Sequence, residues 1–425
     1  MSKEKPVRTK TLPWEFPGAL WINEDEQNLV DEVIKAHSPF RYYGPDLQHM
    51  VDRLEAEFCF KIKVNYALGV TSGTAALHIA LAAFGIGPGD EVLVPGYMWV
   101  SCLSAIVRLG AIPVLVDIDN TFCIDPEDLQ RKISPRSKAI MYVHMSGASG
   151  HIDQVVAIAS HHKLYLLEDC AQAAGASYKG KPLGSFGDAA IFSFQLNKNM
   201  TSGEGGMIVC NDKSIYQRCF AIHDLGYPRN EAGRLETQNE EFQLWGVGAR
   251  MSELTGAFAL AQLGKLDKIV ASMHDAKWRI RQELEDIKGL AFRDIASKEG
   301  DSGSFLITIY PTQQLCQAFT KELKSLGIKG QAGSLACITM HEWGLHWYFN
   351  NYSLVNKKSI SPDGFPWSHP KNEFSRTIHY HKGTLPHCDY LYDHAALLTI
   401  ASTLTDEDCD QIISAFKQTA KKILP

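Results

Sequence analysis

Lys198 lies where a chain can hold a reactive amine. It follows the apolar run 189–193 and precedes the glycines at Gly203, Gly205 and Gly206. A lysine between a buried strand and a glycine cluster is partly desolvated, which lowers its pKa and leaves the amine available for a Schiff base. A solvated loop lysine is the alternative that this segment alone leaves open.

Two acids end another apolar run. Glu168 and Asp169 follow Leu166 and Leu167, and a carboxylate at the end of a buried strand is costly unless it is paired. Parallel sheets bind ligands at this edge, where a carboxylate can hold a protonated ring nitrogen. Gln172 follows closely and can reach a neighbouring ring substituent. For either acid, a structural salt bridge or a helix cap is the alternative.

Two further segments could bind the rest of a cofactor. The run Thr71-Ser72-Gly73-Thr74 follows a strand and begins a helix, so its amides and hydroxyls can bind a phosphate; an ordinary N-cap is the alternative. Trp99 comes soon after a strand that ends at Pro95 and can stack on a ring, with core packing as the alternative. A phosphate cradle, a stacking ring, an acid for a pyridine nitrogen and a lysine for an aldehyde are together the requirements of pyridoxal phosphate (PLP).

A sheet must bring these residues together. From about residue 65, short apolar runs alternate with amphipathic stretches, which is typical of an α/β domain. We predict strands at 66–70, 91–94, 112–116, 139–143, 164–167, 189–193 and 206–209. We predict helices that begin at Thr74, Val100, Asp125, Gln154 and Asn199.

The second half of the chain has a different character. Apolar residues at helical spacing predict one long helix from Met251 to about Ile287. Beyond it come mixed strands and helices, the aromatic-rich stretch 338–385 and a closing helix after Leu404. The predicted fold class is therefore α/β. We predict three parts: an N-terminal arm (1–30), a large PLP-binding domain (31–265) and a smaller C-terminal domain (266–425).

Composition excludes several classes of protein. The 425 residues include 42 basic and 48 acidic ones, for a net charge of −6, which argues against a nucleic-acid or anionic-membrane binder. Hydrophobic residues at 45% and charged residues at 21% rule out wholesale disorder. Because no apolar run reaches the roughly eighteen residues of a membrane span, and because no secretory signal is present, the expected location is the cytoplasm.

The ordered set of motifs resembles the DegT/DnrJ/EryC1/StrS family of sugar aminotransferases, which are fold-type I PLP enzymes. The shared positions cover nearly the whole chain: Gly44-Pro45, Ser72-Gly73-Thr74, Gly89-Asp90-Glu91-Val92, Asp117, Glu168-Asp169, Gly184, Gly187-Asp188, Ser193-Phe194, Lys198, Gly203-Glu204-Gly205-Gly206, Arg250-Met251, Gln262-Leu263 and Leu404-Thr405. The resemblance implies a large domain with a mixed, mostly parallel seven-stranded sheet and a smaller C-terminal α/β domain.

The resemblance also implies a role for each matching residue. Lys198 is similar to the lysine that forms the Schiff base and shuttles the proton, and Asp169 to the acid that pairs with the pyridine nitrogen. Other matching positions bind the ring or the phosphate of PLP: Gln172 and Trp99 at the ring, and Gly73, Thr74 and Ser193 at the phosphate.

Members of the family act as homodimers with the active site at the subunit interface. That arrangement implies that Arg250 and its neighbours serve the partner's site, and it makes Arg250 a candidate for binding the substrate there. The family usually has an asparagine two residues before this arginine, which contacts the phosphate across the interface, whereas this chain has Gly248. The resemblance therefore implies no such contact from this position.

Two histidines in the aromatic-rich stretch are candidates for binding the substrate. His341 and His346 lie beside Trp343, Trp347 and Tyr348. Their spacing does not match a helical metal pair and no H-E-x-x-H motif is present, so we expect no metal. Aromatic rings and imidazoles suit a polyhydroxylated sugar, with simple packing as the alternative. Partly cationic surroundings of this kind would favour an acidic acceptor or a phosphate.

The resemblance implies transfer of an amino group from glutamate or glutamine to a sugar carbonyl. Relatives with a histidine in place of the lysine dehydrate their substrates, so Lys198 favours transamination. Overall similarity, rather than a motif, implies the C8 aldehyde of oxidised Kdo as the acceptor, giving the 8-amino-Kdo of lipopolysaccharide. Cyclitols, keto-hexoses and nucleotide-linked keto-sugars remain alternatives, followed by a PLP lyase or dehydratase and a non-catalytic PLP-binding regulator.

Overall fold

A computed structural model describes residues 6–238 and 243–424. The strands are β1 (Tyr66–Val70), β2 (Glu91–Pro95), β3 (Ile112–Val116), β4 (Ser137–Val143), β5 (Tyr165–Asp169), β6 (Ser177–Tyr178), β7 (Lys181–Pro182), β8 (Ala189–Ser193), β9 (Gly206–Cys210), β10 (Ala291–Phe292), β11 (Phe305–Ile309), β12 (Cys337–Thr339) and β13 (Ala395–Thr399). The first five residues of the predicted arm lie outside the described part.

The helices are α1 (Glu24–Lys35), α2 (Met50–Ile62), α3 (Gly73–Ala83), α4 (Val100–Arg108), α5 (Pro126–Lys132), α6 (Ile152–His162), α7 (Lys213–His223), α8 (Glu253–Leu263), α9 (Leu266–Gln282), α10 (Gln313–Ser325), α11 (Tyr352–Val355), α12 (Pro386–His394) and α13 (Asp406–Ile423). Short 3₁₀ turns lie at Ala19–Trp21, Met145–Gly147, Lys298–Gly300, Met340–His346, Tyr348–Asn350 and Pro370–Thr377. In the described part of the chain no helix has the length and apolar character needed to cross a membrane.

The seven predicted strands form one sheet in the order β1-β9-β8-β5-β4-β2-β3. All neighbours are parallel except β9, which runs antiparallel to both β1 and β8. The predicted mixed, mostly parallel sheet is therefore confirmed. Since β1, β2, β5 and β8 run in the same direction, their carboxyl ends meet at one edge of the sheet.

The sheet is buried on both faces. Successive residues of one strand enter different cores: Met141 packs in one apolar cluster and Tyr142 in the other, and both are fully buried. Helices cover each face, as parallel sheets require. This packing fixes the strand ends and the residues that follow them.

A second, four-stranded antiparallel sheet has the order β10-β11-β13-β12 and a separate apolar core beneath α10 and α13. Thr405 caps α13 through a capping box with Asp408, as expected for the closing helix. The division of the chain into parts 1–30, 31–265 and 266–425 stays a prediction.

Two predicted helices are wrong. Residues 195–205 form turns rather than a helix from Asn199, because Gly203 and Gly205 take φ values of +78° and +159° and Ser202 donates its N–H to Phe194 O across the loop. The long helix predicted from Met251 is instead two helices, α8 and α9, which are separated at Gly264 and Lys265. Glycine has the lowest helix propensity after proline and commonly marks such ends.

Candidate active site

Lys198 lies in the turn between β8 and β9. The turn is tied at both sides: Asn199 donates its side-chain amide to Ala174 O (2.9 Å), and Thr201 donates its hydroxyl to Phe194 O (3.0 Å). Lys198 as a whole is half-buried, and loss of water around its amine lowers the pKa, although the charge of Asp169 opposes this. The structure therefore places a desolvated amine beside a carboxylate, not a solvated loop lysine.

Asp169 is the last residue of β5 and is buried. Its Oδ1 accepts the N–H of Ala171 (2.9 Å), and its Oδ2 accepts the thiol of Cys102 at 3.2 Å. Neither donor is a cation, so these two hydrogen bonds form no ion pair with the carboxylate at the sheet edge. A charge in such a position can hold the proton of a ring nitrogen.

Glu168, the neighbour of Asp169, has a structural role. Its two carboxylate oxygens accept three backbone N–H groups, from Gly184 (2.9 Å), Phe186 (2.7 Å) and Gly187 (2.8 Å), and one lies 2.8 Å from His144 Nε2. Burial alone would raise the pKa of Glu168, but the hydrogen bonds from His144 and the backbone outweigh it and hold the pKa below its ordinary value. The carboxylate anchors the loop before β8.

In the described part of the chain, three potential metal ligands lie close together: His144, Glu168 and Cys170. Both oxygens of Glu168 already accept hydrogen bonds, and one of them lies next to His144. These hydrogen bonds explain why the three residues lie together, without a metal ion.

We expect Glu168→Gln to destabilise the fold. The new amide nitrogen must face a backbone N–H that the carboxylate now accepts, which leaves buried donors without an acceptor. The free energy of unfolding should fall by about 2–3 kcal/mol. Urea unfolding of the apoprotein measures this, with Glu127→Gln on the exposed first turn of α5 as the control that should change little. An unchanged midpoint would contradict the anchoring role.

The N-terminus of α3 leaves two backbone N–H groups that could bind an anion. Ser72 caps the helix by accepting the N–H of Ala75 (3.1 Å), which leaves the N–H groups of Gly73 and Thr74 without an intrahelical acceptor. A Cβ on Gly73 would lie 2.8 Å from Ser193 Cβ, so only glycine permits this approach of α3 to the end of β8. The N-cap interpretation and the phosphate interpretation are therefore compatible.

The rest of the site is connected to this helix. Thr74 Oγ1 lies 2.7 Å from Ser101 Oγ on α4, one residue before the Cys102 that donates to Asp169. Trp99, the N-cap residue of α4, is 44% exposed, so its ring is available for stacking and is not part of the core. The structure thus brings Gly73, Thr74, Trp99, Asp169 and Lys198 to one edge of the sheet.

Gln172 is held by a loop that the sequence did not reveal. Its Oε1 accepts the N–H of Ser146 (2.9 Å), and buried Arg293 donates to Ser146 O (3.2 Å) and Ala148 O (3.1 Å). Arg293 comes from the strand region of the smaller sheet, and no local pattern marks it as a partner of residues 146–148. Contacts between segments so distant in sequence leave no periodic signal.

The three candidate substrate residues separate in the structure. The ring centroids of His346 and Trp99 are 4.8 Å apart. The charge of Lys198 also acts on His346 and lowers the pKa of its ring. His341 instead stacks on Tyr392 and pairs with Asp393 at 2.9 Å. Arg250 forms a 2.7 Å ion pair with Asp224.

Arg250 also lies close to the N-terminus of α3. Its backbone bridges to Val70, and Thr71 donates its N–H to Ala249 O. Gly248, with φ of +66°, places no side chain there.

The described residues fit PLP. They supply a desolvated amine for its aldehyde, a carboxylate for its ring nitrogen, two free helix N–H groups for its phosphate and an exposed indole for a ring face. The glycine at 73 lets Ser193, at the end of β8, lie directly beside these N–H groups.

Comparison with known proteins gives a consistent result. Residues 21–343 match the model of the DegT/DnrJ/EryC1/StrS aminotransferase family. A GDP-perosamine synthase from Vibrio cholerae is 38% identical over 259 residues, which are 61% of this chain and 68% of that protein. A putative L-glutamine:3-amino-2,3-dideoxy-scyllo-inosose aminotransferase from Streptoalloteichus tenebrarius is 35% identical over 285 residues, 67% of this chain and 66% of that protein.

Among solved structures, 3-amino-5-hydroxybenzoic acid synthase superposes with a TM-score of 0.78 at 26% identity. The match covers 97% of this chain and 99% of that one. The likeness therefore includes both the seven-stranded sheet and the smaller C-terminal one.

Proposed function

The chain belongs to the DegT/DnrJ/EryC1/StrS aminotransferase family, and we propose that it moves an amino group from L-glutamate or L-glutamine to the carbonyl carbon of a sugar. PLP is its cofactor and transamination its reaction class. The observation that carries the proposal is the desolvated amine of Lys198 beside the buried carboxylate of Asp169, at the sheet edge where α3 offers free N–H groups.

Each residue at this edge of the sheet has a separate proposed role. When bound, PLP supplies an aldehyde that captures amines and a ring that accepts electrons from the substrate carbon. We assign Lys198 two roles: its amine would hold the aldehyde of PLP, and it would carry a proton between the α-carbon of the amino donor and the cofactor carbon C4′. Burial lowers the pKa of Lys198, so its amine loses its proton more readily than the amine of a solvated lysine. Asp169 keeps the ring nitrogen protonated.

The other proposed contacts orient the cofactor. Gly73 and Thr74 bind the phosphate through the first turn of α3, with Ser193 at the end of β8 beside them. Trp99 covers a ring face, and Gln172, fixed by Ser146, lies near the ring hydroxyl.

A homodimer is the proposed assembly. Trp245 is 96% exposed and Val247 is 51% exposed, close in sequence to Arg250 and to the contact between Ala249 and Thr71. Apolar side chains this exposed are typical of an interface. We propose that this surface packs on a second copy and that Arg250 contributes there to the shared site.

The sugar acceptor is the finer part of the proposal. The two curated relatives are named for GDP-perosamine and for an amino-dideoxy-scyllo-inosose, which favours a nucleotide-linked keto-sugar or a cyclitol. The C8 aldehyde of oxidised Kdo has no support from these names and stays a prediction, as do the link to lipopolysaccharide and a cytoplasmic location.

The visible absorption spectrum of the purified protein tests the function. A yellow, PLP-loaded protein that bleaches when L-glutamate or L-glutamine is added, without an acceptor, would support transamination. Oxidised Kdo, scyllo-inosose and a GDP-linked 4-keto-hexose are then added in turn, and the true acceptor restores the colour. A yellow protein that ignores every amino donor would favour a lyase, a dehydratase or a regulator. A protein that cannot bind PLP would overturn the proposal.

A further inference from the structure

Residues 340–394 fold over the edge of the large sheet that carries the site. This segment connects β12 to β13, and most of it lies beyond residue 343, where the family match ends. Met98 donates its N–H to His346 O (2.9 Å), and Tyr348 donates its N–H to Gly96 O (3.0 Å), directly after β2. Cys388 donates its N–H to Asp117 Oδ1 (2.7 Å) after β3. The segment is thus fixed against the site at several points.

His346 is the residue of this segment that faces the site. Its ring stacks on Trp343, with centroids 4.2 Å apart and planes at 9°, and its centroid lies 4.8 Å from that of Trp99, with the planes tilted at 48°. Only 9% of the residue is exposed. The imidazole is therefore held in one orientation by two indoles.

The protonation of this ring follows from its contacts. His346 Nδ1 lies 2.8 Å from Trp343 O, and since a carbonyl can only accept, Nδ1 carries the hydrogen. Burial, together with the charge of Lys198, lowers the pKa of His346 to about 3, so the ring is neutral and Nε2 presents a lone pair. Nε2 has no partner among the described residues and is not sealed from solvent.

Lys198 is the cation whose charge acts on His346, whereas the other cations named for the site are held in ion pairs. Asp224 pairs with both Arg229 (2.6 Å) and Arg250 (2.7 Å), and Asp393 pairs with Lys382 (2.9 Å). His346 itself is neutral, so it supplies none of the positive charge that the sequence suggested for these surroundings. A neutral nitrogen acceptor favours a hydroxyl donor and gives no attraction to a carboxylate or a phosphate.

We propose that His346 Nε2 accepts a hydrogen bond from a hydroxyl group of the sugar acceptor and so selects a neutral, hydroxyl-bearing part of that molecule beside Trp99. The inference rests on the proposed aminotransferase function and assigns the substrate-binding role to His346 rather than to His341. An anionic group of the acceptor, such as a nucleotide or a carboxylate, must then lie elsewhere.

Two substitutions of His346 separate the hydrogen bond from the packing. His346→Asn keeps a donor near the position of Nδ1 for Trp343 O but has no acceptor at the position of Nε2. His346→Gln carries an amide oxygen that can reach that position. His379→Asn, an exposed histidine of the same segment, is the matched control.

The two half-reactions are followed separately by stopped-flow absorbance of the holoenzyme. Bleaching with L-glutamate measures the donor half, and recovery of colour with scyllo-inosose, the GDP-linked 4-keto-hexose and oxidised Kdo measures the acceptor half. In His346→Asn we expect the KM for the acceptor to rise about 10- to 100-fold while the donor half changes less than about threefold, and His346→Gln to recover most of the loss.

An unchanged acceptor KM in His346→Asn would overturn the inference, and so would an equal loss in both half-reactions. Failure of all three sugars with an intact donor half-reaction would also overturn it, since all three present hydroxyl groups. A wild-type protein without the donor half-reaction would instead show that the proposed function itself is wrong.

Discussion

Lys198→Ala should abolish transamination, lowering the rate of bleaching by L-glutamate at least about a thousandfold and removing the yellow colour of the purified protein. The substitution takes away both the amine that holds the cofactor's aldehyde and the base that moves the proton, and each role is worth two or more orders of magnitude. Stopped-flow absorbance after reconstitution with PLP measures both effects. Lys288→Ala, at an exposed turn after α9, is the control that should keep both the rate and the colour.

The burial of the Lys198 amine also predicts an effect on the stability of the apoprotein. Because burial lowers the pKa of Lys198 in the folded state, the unfolded chain binds more protons between that pKa and the ordinary lysine value, and stability rises with pH across this window. The buried amine therefore destabilises the apoprotein at neutral pH. Lys198→Met should raise the free energy of unfolding by on the order of 1 kcal/mol at neutral pH, and by less at alkaline pH.

Urea unfolding of the two apoproteins near neutral pH and near the ordinary lysine pKa checks the sign. A less stable methionine variant would mean that Lys198 supports the fold through contacts beyond those described. A loss of activity together with a gain in stability would instead show that the residue is kept for chemistry.

Much of the fold could be predicted because its strands are buried on both faces. Runs such as 139–143 and 189–193 are continuously apolar, and a chain of this length has few other ways to bury them. Lys198 and Asp169 could be predicted because each lies at or soon after the end of a buried strand, where polar groups are unusual. The sheet edge that joins them follows from parallel strands sharing one direction.

The parts that were not predicted depend on distant contacts. Nothing in the local sequence distinguishes His341 from His346, yet His341 pairs with Asp393 and His346 packs against two indoles. Arg293 supports the loop that fixes Gln172 across 147 positions of sequence. No helix begins at Asn199, because the backbone angles of the glycine-rich turn, rather than the periodicity of its side chains, determine the path of the chain there.

The local sequence also does not show which of the neighbouring acids Glu168 and Asp169 has a structural role. Both acids end one apolar run, and strand alternation points their side chains to opposite faces. One face meets the N–H groups of the loop 184–187, whereas the other meets Cys102, Ala171 and the charge of Lys198. Which acid is structural and which is chemical is therefore decided by the partner segments of each face.

Asp169→Asn should lower the transamination rate at least about a hundredfold while the protein stays folded. The amide keeps an oxygen to accept the N–H of Ala171, but it carries no charge to hold the proton on the ring nitrogen, and loss of one positioned electrostatic partner commonly costs this much. The rate of bleaching by L-glutamate is the measurement, and urea unfolding should show little change. Glu168→Gln is the matched variant, since it should lose stability first.

A second readout of Asp169→Asn does not depend on activity. The charge of Asp169 raises the pKa of the Lys198 amine against the effect of burial, so its removal should lower that pKa further. In the apoprotein, Lys198 should then react with an amine-acylating reagent at a lower pH than in the wild type, as followed by mass spectrometry of the labelled peptide. An unshifted labelling profile with a rate within about tenfold of the wild type would mean that Asp169 does not act on the reacting groups. A shifted profile with a lost rate would place the amine and the carboxylate in one electrostatic unit, as transamination requires.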